Sequence, residues 1–213
     1  MFHAKGIAMN DLDFAALLVS RVCHDLVSPV GAVVNGLEVL EDERDAAMRA
    51  DALKLVASSA EQAAARLQFC RIAYGAAGSA GAELDLTEVG RIVKGLVAGT
   101  KVSVDWRAGP LNWPKDWAKL LMNATLVAAD SLPRGGQVTV ETTADPATPG
   151  FTVRAQGQNA RVMEEVGNAM RGEPTQPLDG RSIQAYLTHK LASAAGAGLK
   201  LAATEGAVEL TAG

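Results

Sequence analysis

The feature that most constrains this chain is a pair of long helical patterns near its start, joined by a short charged turn. In residues 11–42, apolar side chains recur every three or four positions, which predicts one buried helix face. That stripe consists of Ala15, Leu18, Val22, Leu26, Pro29, Val33, Leu37 and Leu40. After the charged run 41–45, a second pattern rich in alanine and leucine reaches about Tyr74 and ends at Gly75. The two patterns predict an antiparallel helical hairpin.

A helical hairpin cannot enclose a hydrophobic core by itself. Its apolar stripe needs a second hairpin against it, and a second copy of the chain supplies one in a symmetric four-helix bundle. The sequence therefore predicts a homodimer.

The rest of the chain alternates helical and strand patterns, which predicts an α+β fold with an α/β sandwich after the hairpin. A small, uncharged, glycine-rich stretch at 75–82 is typical of a connection between domains. We therefore expect a disordered start at 1–10, a dimerisation hairpin at 11–76, a linker at 77–83 and a sandwich domain at 84–213. Within the sandwich we expect helices near 85–99, 114–131, 160–170 and 181–194, and strands near 101–107, 137–143, 151–155, 199–204 and 207–211.

Composition excludes several classes of function. The 213 residues include 20 basic and 24 acidic side chains, so the chain has no positive excess with which to bind nucleic acid. Its two cysteines form no CxxC pair and its three histidines have no metal-ligand spacing, so we expect no disulfide and no metal site. We find no signal peptide and no uninterrupted apolar run of transmembrane length, and we expect a soluble, cytoplasmic protein that does not bind membranes.

His24 lies nearly opposite the apolar stripe, since successive helix residues turn by about 100°. Its neighbours on that face are small or polar, among them Ser20, Gly31 and Asn35. A partner protein can reach an imidazole in such surroundings, although a lone surface histidine usually has no function. The residues that follow it give His24 its significance.

The segment 24–30, His-Asp-Leu-Val-Ser-Pro-Val, resembles the H-box of sensor histidine kinases. There, a histidine, an acidic residue, two variable positions, Thr or Ser, Pro and an apolar residue follow in that order. The resemblance implies a phosphorylated histidine on the first helix of a dimerisation hairpin, followed by an ATP-binding domain of the Bergerat fold. Residues 120–124 and the turn 133–136 look like the N-box helix of that domain and the turn after it.

The nucleotide site of those kinases is only partly present. Where they have Asp-x-Gly-x-Gly, with the aspartate accepting a hydrogen bond from adenine, this chain has Ala155 and no carboxylate. Their glycine-rich phosphate loop is matched by 180–186, in which larger side chains replace most glycines and obstruct close backbone approach. Asn123 matches a Mg²⁺ ligand of kinases, but a local hydrogen bond in its helix is the simpler interpretation.

A histidine hairpin attached to a degenerate kinase ATPase-like domain resembles the ChpT-type histidine phosphotransferases. The resemblance implies a dimeric protein of two-component signal transduction. It takes a phosphoryl group on His24 from the receiver domain of a hybrid histidine kinase and passes it to response regulators. It acts through phosphohistidine rather than as an autonomous kinase, binds no cofactor itself, and relies on Mg²⁺ in the receiver partner. Two alternatives stay open: an ATP-dependent histidine kinase with a diverged site, and a non-catalytic dimeric regulator that binds receivers.

An exposed imidazole is largely unprotonated at cytoplasmic pH, so His24 needs no special tuning to act as the nucleophile. Asp25 could orient the ring only by bending back, because it lies about 100° away around the helix. Ser28, one turn further, could bond the phosphoryl group or its own backbone. The resemblance implies receiver docking just below the histidine, for which the sequence offers Arg21, Gly31, Val34, Asn35 and Glu38.

Overall fold

The N-terminal part of the protein is a hairpin of two long helices. A computed structural model describes residues 9–75 and 82–213. In it, α1 (Asp11–Asp42) and α2 (Ala46–Ala73) agree with the sequence prediction to within a residue or two. The helices approach closely at Gly36, where an added Cβ would lie 2.6 Å from a methyl carbon of Val56. Most of the predicted disordered start and linker falls outside the described residues, and the domain boundaries stay predictions.

The apolar stripe of α1 is only partly covered within one chain. Pro29 is buried, most other members are half-buried, and Ala15 and Leu37 are exposed. A second apolar row is also exposed; it comprises Leu12, Val19, Val30 and Leu37 on α1 with Leu53 and Leu67 on α2. By length and composition, α1 is apolar enough to cross a membrane, as the core helix of a soluble protein can also be. Arg21, His24 and Asp25 interrupt its apolar residues, so the prediction of no uninterrupted apolar run of that length stands. An uncovered apolar face therefore runs along the hairpin.

The second part of the chain is the predicted sandwich, and the α+β fold is confirmed. Asp85 caps its first helix as the sequence indicates, since its side chain accepts a hydrogen bond from the Thr87 amide at 2.8 Å. Sequence analysis missed two short strands, β1 and β3, which pair only with each other. The elements are α3 (Leu86–Val97), α4 (Lys115–Asp130), α5 (Glu164–Met170), α6 (Ser182–Ala195), β1 (Glu83–Asp85), β2 (Val102–Trp106), β3 (Asn112–Pro114), β4 (Gly136–Thr142), β5 (Phe151–Gln156), β6 (Lys200–Thr204) and β7 (Ala207–Ala212).

The main sheet has five strands in the order β2-β4-β5-β7-β6, with β2 and β4 parallel and the other pairs antiparallel. Alternate residues of β4, β5 and β7 are buried, among them Val138, Val153 and Leu210. Of the residues between them, Arg154 is exposed and Glu209 is half-buried. One sheet face thus packs under the helices while the other meets solvent.

The hairpin packs directly on the sandwich. Phe69 and Ala73, in the last turns of α2, are each 1% exposed and belong to the same hydrophobic cluster as the sandwich core. The start of α1 meets α6, where the Phe14 and Tyr186 rings lie edge to face with centroids 6.0 Å apart. These contacts set the sandwich against the His24 face of α1.

Candidate functional site

The side chain of His24 is exposed to solvent on α1. Its side chain is 86% exposed, and its Nδ1 atom lies 3.2 Å from Oδ1 of Asp25. The carboxylate does bend back to the ring, as sequence analysis required for an orienting role. Nε2 forms no hydrogen bond with any described residue. One ring nitrogen is held and the other faces solvent.

Arg21 holds the Asp25 carboxylate from the other side. Its Nε donates to Asp25 Oδ2 at 2.8 Å, one turn along the helix. The same guanidinium reaches the sandwich, where Nη1 donates to the Gly180 carbonyl at 2.8 Å and Nη2 to Asp130 Oδ2 at 3.2 Å. The Arg21 side chain is only 14% exposed. It therefore joins the two parts of the chain instead of facing an incoming partner.

The charges in this cluster influence one another. Burial disfavours the charged form of Arg21, but the Asp130 and Asp25 carboxylates outweigh it and raise the pKa of the guanidinium. Desolvation by the surrounding protein raises the pKa of the Asp130 carboxyl. The positive charge of Arg21 lowers this pKa, and the negative charge of Asp25 raises it. Half of the Asp130 side-chain surface still reaches solvent, which moderates the shift.

A cleft of about 680 Å³ opens beside His24, between the hairpin and the sandwich. Its floor is partly apolar, and Arg161 and Arg181 add positive charge at its walls. The lining residues come from α1, the end of α4, the segment around α5 and the start of α6; they are Ser20, Arg21, His24, Asp25, Val127, Asp130, Ser131, Pro133, Arg161, Val162, Met163, Val166, Asp179, Gly180, Arg181 and Gln184.

The other predicted partner-binding residues continue along the helix, away from this cleft. Val34, Asn35 and Glu38 are exposed, as is the predicted catalytic Ser28. Gly31 is half-buried, yet an added Cβ there would meet no atom within 4 Å. These residues leave an accessible strip below His24, whereas Arg21 lies apart from it on the sandwich side.

The backbone around the histidine is braced from α2. Arg66 Nη1 donates to the main-chain oxygen of Asp25. Burial and the Asp25 charge raise the pKa of the nearby Cys70 thiol to about 11, so this cysteine stays protonated near neutral pH. Arg66 thus supports the helix backbone, and Cys70 serves packing.

The region that resembles a kinase nucleotide site contains a buried polar network beneath the cleft. Asn123 is fully buried, donates to the Lys119 carbonyl at 2.7 Å, and accepts from the Gln184 side chain at 2.5 Å. Gln184, 1% exposed, accepts from the Tyr74 hydroxyl at 2.6 Å. Burial raises the pKa of Tyr74 above its usual value, which keeps this donor protonated. The network joins α2, α4 and α6 and uses the polar groups of Asn123 internally.

The position on β5 that would supply the adenine-binding carboxylate is also buried. Ala155 is fully buried, and its neighbours across the sheet are Val138 and Val208. Gly157, a glycine kept from the kinase pattern, packs so tightly that an added Cβ would lie 2.4 Å from the Gly135 carbonyl oxygen. Packing of the backbone explains why this glycine is present.

Sequence analysis missed several members of the site. Arg66 is one of six charged residues in α2, and its local pattern does not distinguish it from the others. Asp130 carries no local signal, and Gly180 contributes only its carbonyl, which any residue would provide. Among the described residues, no group of three or more His, Cys, Asp and Glu side chains could hold a metal ion.

Comparisons with known proteins agree with this architecture. The family model for the histidine phosphotransferase C-terminal domain matches residues 86–207. The protein phosphotransferase ChpT of Brucella abortus (strain 2308) is 39% identical over 199 residues, covering 93% of this chain and 94% of the relative. A solved structure of a bacterial phosphotransferase superposes with a TM-score of 0.87 at 35% identity, covering 98% of this chain and 99% of that one.

Proposed function

Because this chain belongs to the histidine phosphotransferase family and is a phosphorelay phosphotransferase, we propose that His24 is the residue that carries the phosphoryl group. The observation that carries the proposal is the state of its imidazole. The ring is 86% exposed at the mouth of the cleft, Nδ1 is engaged by Asp25, and Nε2 is open to a partner.

The chemistry follows from this orientation. An ionised Asp25 accepts a hydrogen bond, so the Nδ1 proton points at it and the lone pair lies on Nε2. Nε2 attacks the phosphorus of a receiver aspartyl phosphate; the N–P bond forms, the P–O bond breaks, and the aspartate leaves as a carboxylate. Asp25 offsets the positive charge that develops on the ring. The reverse reaction on a second receiver discharges the histidine.

We propose that partner proteins supply the other groups that the transfer reaction needs. Phosphoryl transfer needs in-line positioning and neutralised charge, and we propose that a Mg²⁺ ion in the receiver provides the latter. The donor is the receiver of a hybrid histidine kinase and the acceptors are response regulators, which places the chain in the cytoplasm. The strip formed by Ser28, Gly31, Val34, Asn35 and Glu38 offers the docking surface, supported by its exposure.

A transfer assay tests this function. The purified chain is mixed with a phosphorylated receiver domain in one arm and with labelled ATP alone in another. We expect acid-labile phosphohistidine only in the first arm. Label appearing from ATP alone would favour an autonomous kinase, and binding of the receiver without any label would favour a non-catalytic regulator.

We also propose that the sandwich binds no ATP. The buried Asn123 and Gln184 side chains satisfy each other, and Ala155 offers no carboxylate. Titration of the protein with Mg-ATP by calorimetry, up to millimolar nucleotide, should give no heat of binding. A saturable heat would contradict the proposal.

The exposed apolar row on the hairpin supports a homodimer in which two hairpins form a four-helix bundle. Val30 and Leu37 are each 49% exposed in the single chain. Replacing both with glutamate should convert the protein to a monomer in analytical ultracentrifugation. The control is Ala202→Glu, an exposed position on β6, which should stay dimeric.

A further inference from the structure

We propose that Arg21 is a positioning residue through which the sandwich domain sets the orientation and tautomer of His24. The proposal rests on the proposed function of His24 and deepens it. It also gives the sandwich a present task, because the domain supplies two of the three groups that hold the guanidinium.

The geometry forms an unbroken chain of hydrogen bonds. On the sandwich side, the guanidinium of Arg21 donates to Asp130 and to the Gly180 carbonyl. On the hairpin side, it donates to one carboxylate oxygen of Asp25. The other oxygen of Asp25 lies against Nδ1 of His24. Each link is 2.8 to 3.2 Å long. A displacement at the sandwich end therefore rotates the carboxylate that faces the histidine.

The planar guanidinium suits this position. Nε, Nη1 and Nη2 each serve a different partner, and a rigid fork fixes the angles between them. A lysine ammonium retains the charge but cannot address three acceptors in one plane. Arg21→Lys therefore separates the effect of geometry from the effect of charge.

Electrostatics adds a second requirement. Arg21 lies between Asp25 on the hairpin and Asp130 on the sandwich, and it is the cation that bonds both. Without it the two carboxylates would repel each other across the cleft. Such repulsion frees Asp25 from its orientation toward the ring.

Burial distinguishes this arrangement from an ordinary ion pair one helical turn apart. An exposed pair of that type contributes little, and its removal changes little. The Arg21 side chain is 14% exposed, whereas the Arg91 side chain, paired with Glu88 on α3, is 61% exposed. Arg91→Gln is therefore the matched control.

Two measurements test the proposal on Arg21→Lys, Arg21→Gln, Asp130→Asn and Arg91→Gln. The first is the long-range proton–nitrogen correlation spectrum of His24 above neutral pH, which reports how the ring proton is shared between Nδ1 and Nε2. The second is the initial rate of transfer from a saturating phosphorylated receiver. Thermal unfolding checks that each variant folds; if Arg21→Gln does not, Arg21→Lys and Asp130→Asn provide the test.

The wild type and Arg91→Gln should show one tautomer, with the proton on Nδ1. Both Arg21 variants should show averaging of the two nitrogens and a transfer rate reduced about 10-fold or more. Asp130→Asn should give a smaller change in the same direction, because it removes one link on the sandwich side.

A single tautomer and an undiminished rate in both Arg21 variants would overturn the proposal. If Arg21→Gln changed the spectrum while Asp130→Asn left it untouched, the link to the sandwich would be overturned. The spectrum needs no phosphoryl group, so its failure refutes the positioning role alone. Normal transfer through His24→Ala would instead refute the proposed function.

Discussion

The two regions that resemble parts of a histidine kinase have opposite characters. Around His24, a reactive side chain is 86% exposed and its neighbours leave a cleft open beside it. Around Gln184, the side chains of Asn123 and Gln184 are at most 1% exposed and bond each other. The first region presents an accessible imidazole, and the second belongs to the core. A change in the first should alter activity without altering stability, and a change in the second should do the reverse.

The largest expected effect is a loss of transfer on removal of the His24 imidazole, which tests the first half of this comparison. His24→Ala should reduce transfer by about 1000-fold or more, because no other described residue places an imidazole at the cleft. The free energy of unfolding should change by less than about 0.5 kcal/mol, since the removed ring is exposed. Transfer kinetics and denaturant unfolding measure the two quantities. His189→Ala is the control and should retain transfer; activity persisting in His24→Ala would refute the carrier assignment.

The next effect concerns the closed region. Ala155→Asp should destabilise the fold by about 3 kcal/mol or more, since it places a carboxylate in a fully buried site between two valines. It should also fail to confer ATP binding, because Gln184 and Asn123 remain in place. Urea unfolding and calorimetry check both statements. Ala144→Asp, at an exposed loop position, should be nearly neutral, and an equally stable Ala155→Asp protein would contradict the assigned burial.

A smaller effect sharpens the role of the buried network. Gln184→Ala should cost about 2 kcal/mol, because it leaves the Tyr74 hydroxyl and the Asn123 amide oxygen without partners. Transfer through His24 should survive in the folded fraction. Chemical unfolding with Gln176→Ala as an exposed control measures the difference. An unchanged midpoint would mean that water or a rearranged side chain satisfies the network.

The smallest effect is a dependence on pH at the edge of the cleft. Asp179 accepts hydrogen bonds from the Ser182 amide and hydroxyl and from the Arg181 amide, which hold the pKa of its carboxyl below the usual value. Its stabilisation is therefore full above the unfolded pKa and disappears as pH falls through the lower folded one. Asp179→Ala should cost about 1 kcal/mol near neutral pH, as loss of a helix cap does.

The difference between Asp179→Ala and the wild type should shrink as pH falls through the usual carboxyl pKa, where the unfolded chain takes up its proton first. It should vanish at lower pH, once the carboxylate of the folded protein is protonated as well. Thermal unfolding between pH 3 and 7 follows it. A difference that stayed constant over this range would assign the stabilisation to packing instead of charge.

Much of this architecture could be predicted because local patterns and tertiary packing agree. The two long helices, the Asp85 cap and the alternating strands follow from periodicity and turn residues alone. The short strands β1 and β3 could not be found, since three residues carry too little pattern and their pairing joins distant segments.

The residues of the site also fall into two groups: those that a linear motif indicates and those that only the fold brings together. A linear motif contains His24, Asp25 and Ser28, so sequence could indicate them. The contacts of Arg21 with Asp130 and the Gly180 carbonyl bring together residues more than a hundred positions apart, and no periodicity encodes them. Sequence analysis therefore placed Arg21 on the docking surface, although the structure encloses it between the two domains.

The network of Tyr74, Gln184 and Asn123 has a consequence for how the sandwich could evolve. Side chains that bond one another inside a core help to hold the domain together, so removing one lowers stability before any ligand can bind in its place. On the proposal that the sandwich binds no ATP, nucleotide binding would need a carboxylate at 155, a smaller residue at 184 and a glycine-rich loop at once. Each of the first two changes should be harmful alone, so such binding would have to arise through several simultaneous substitutions.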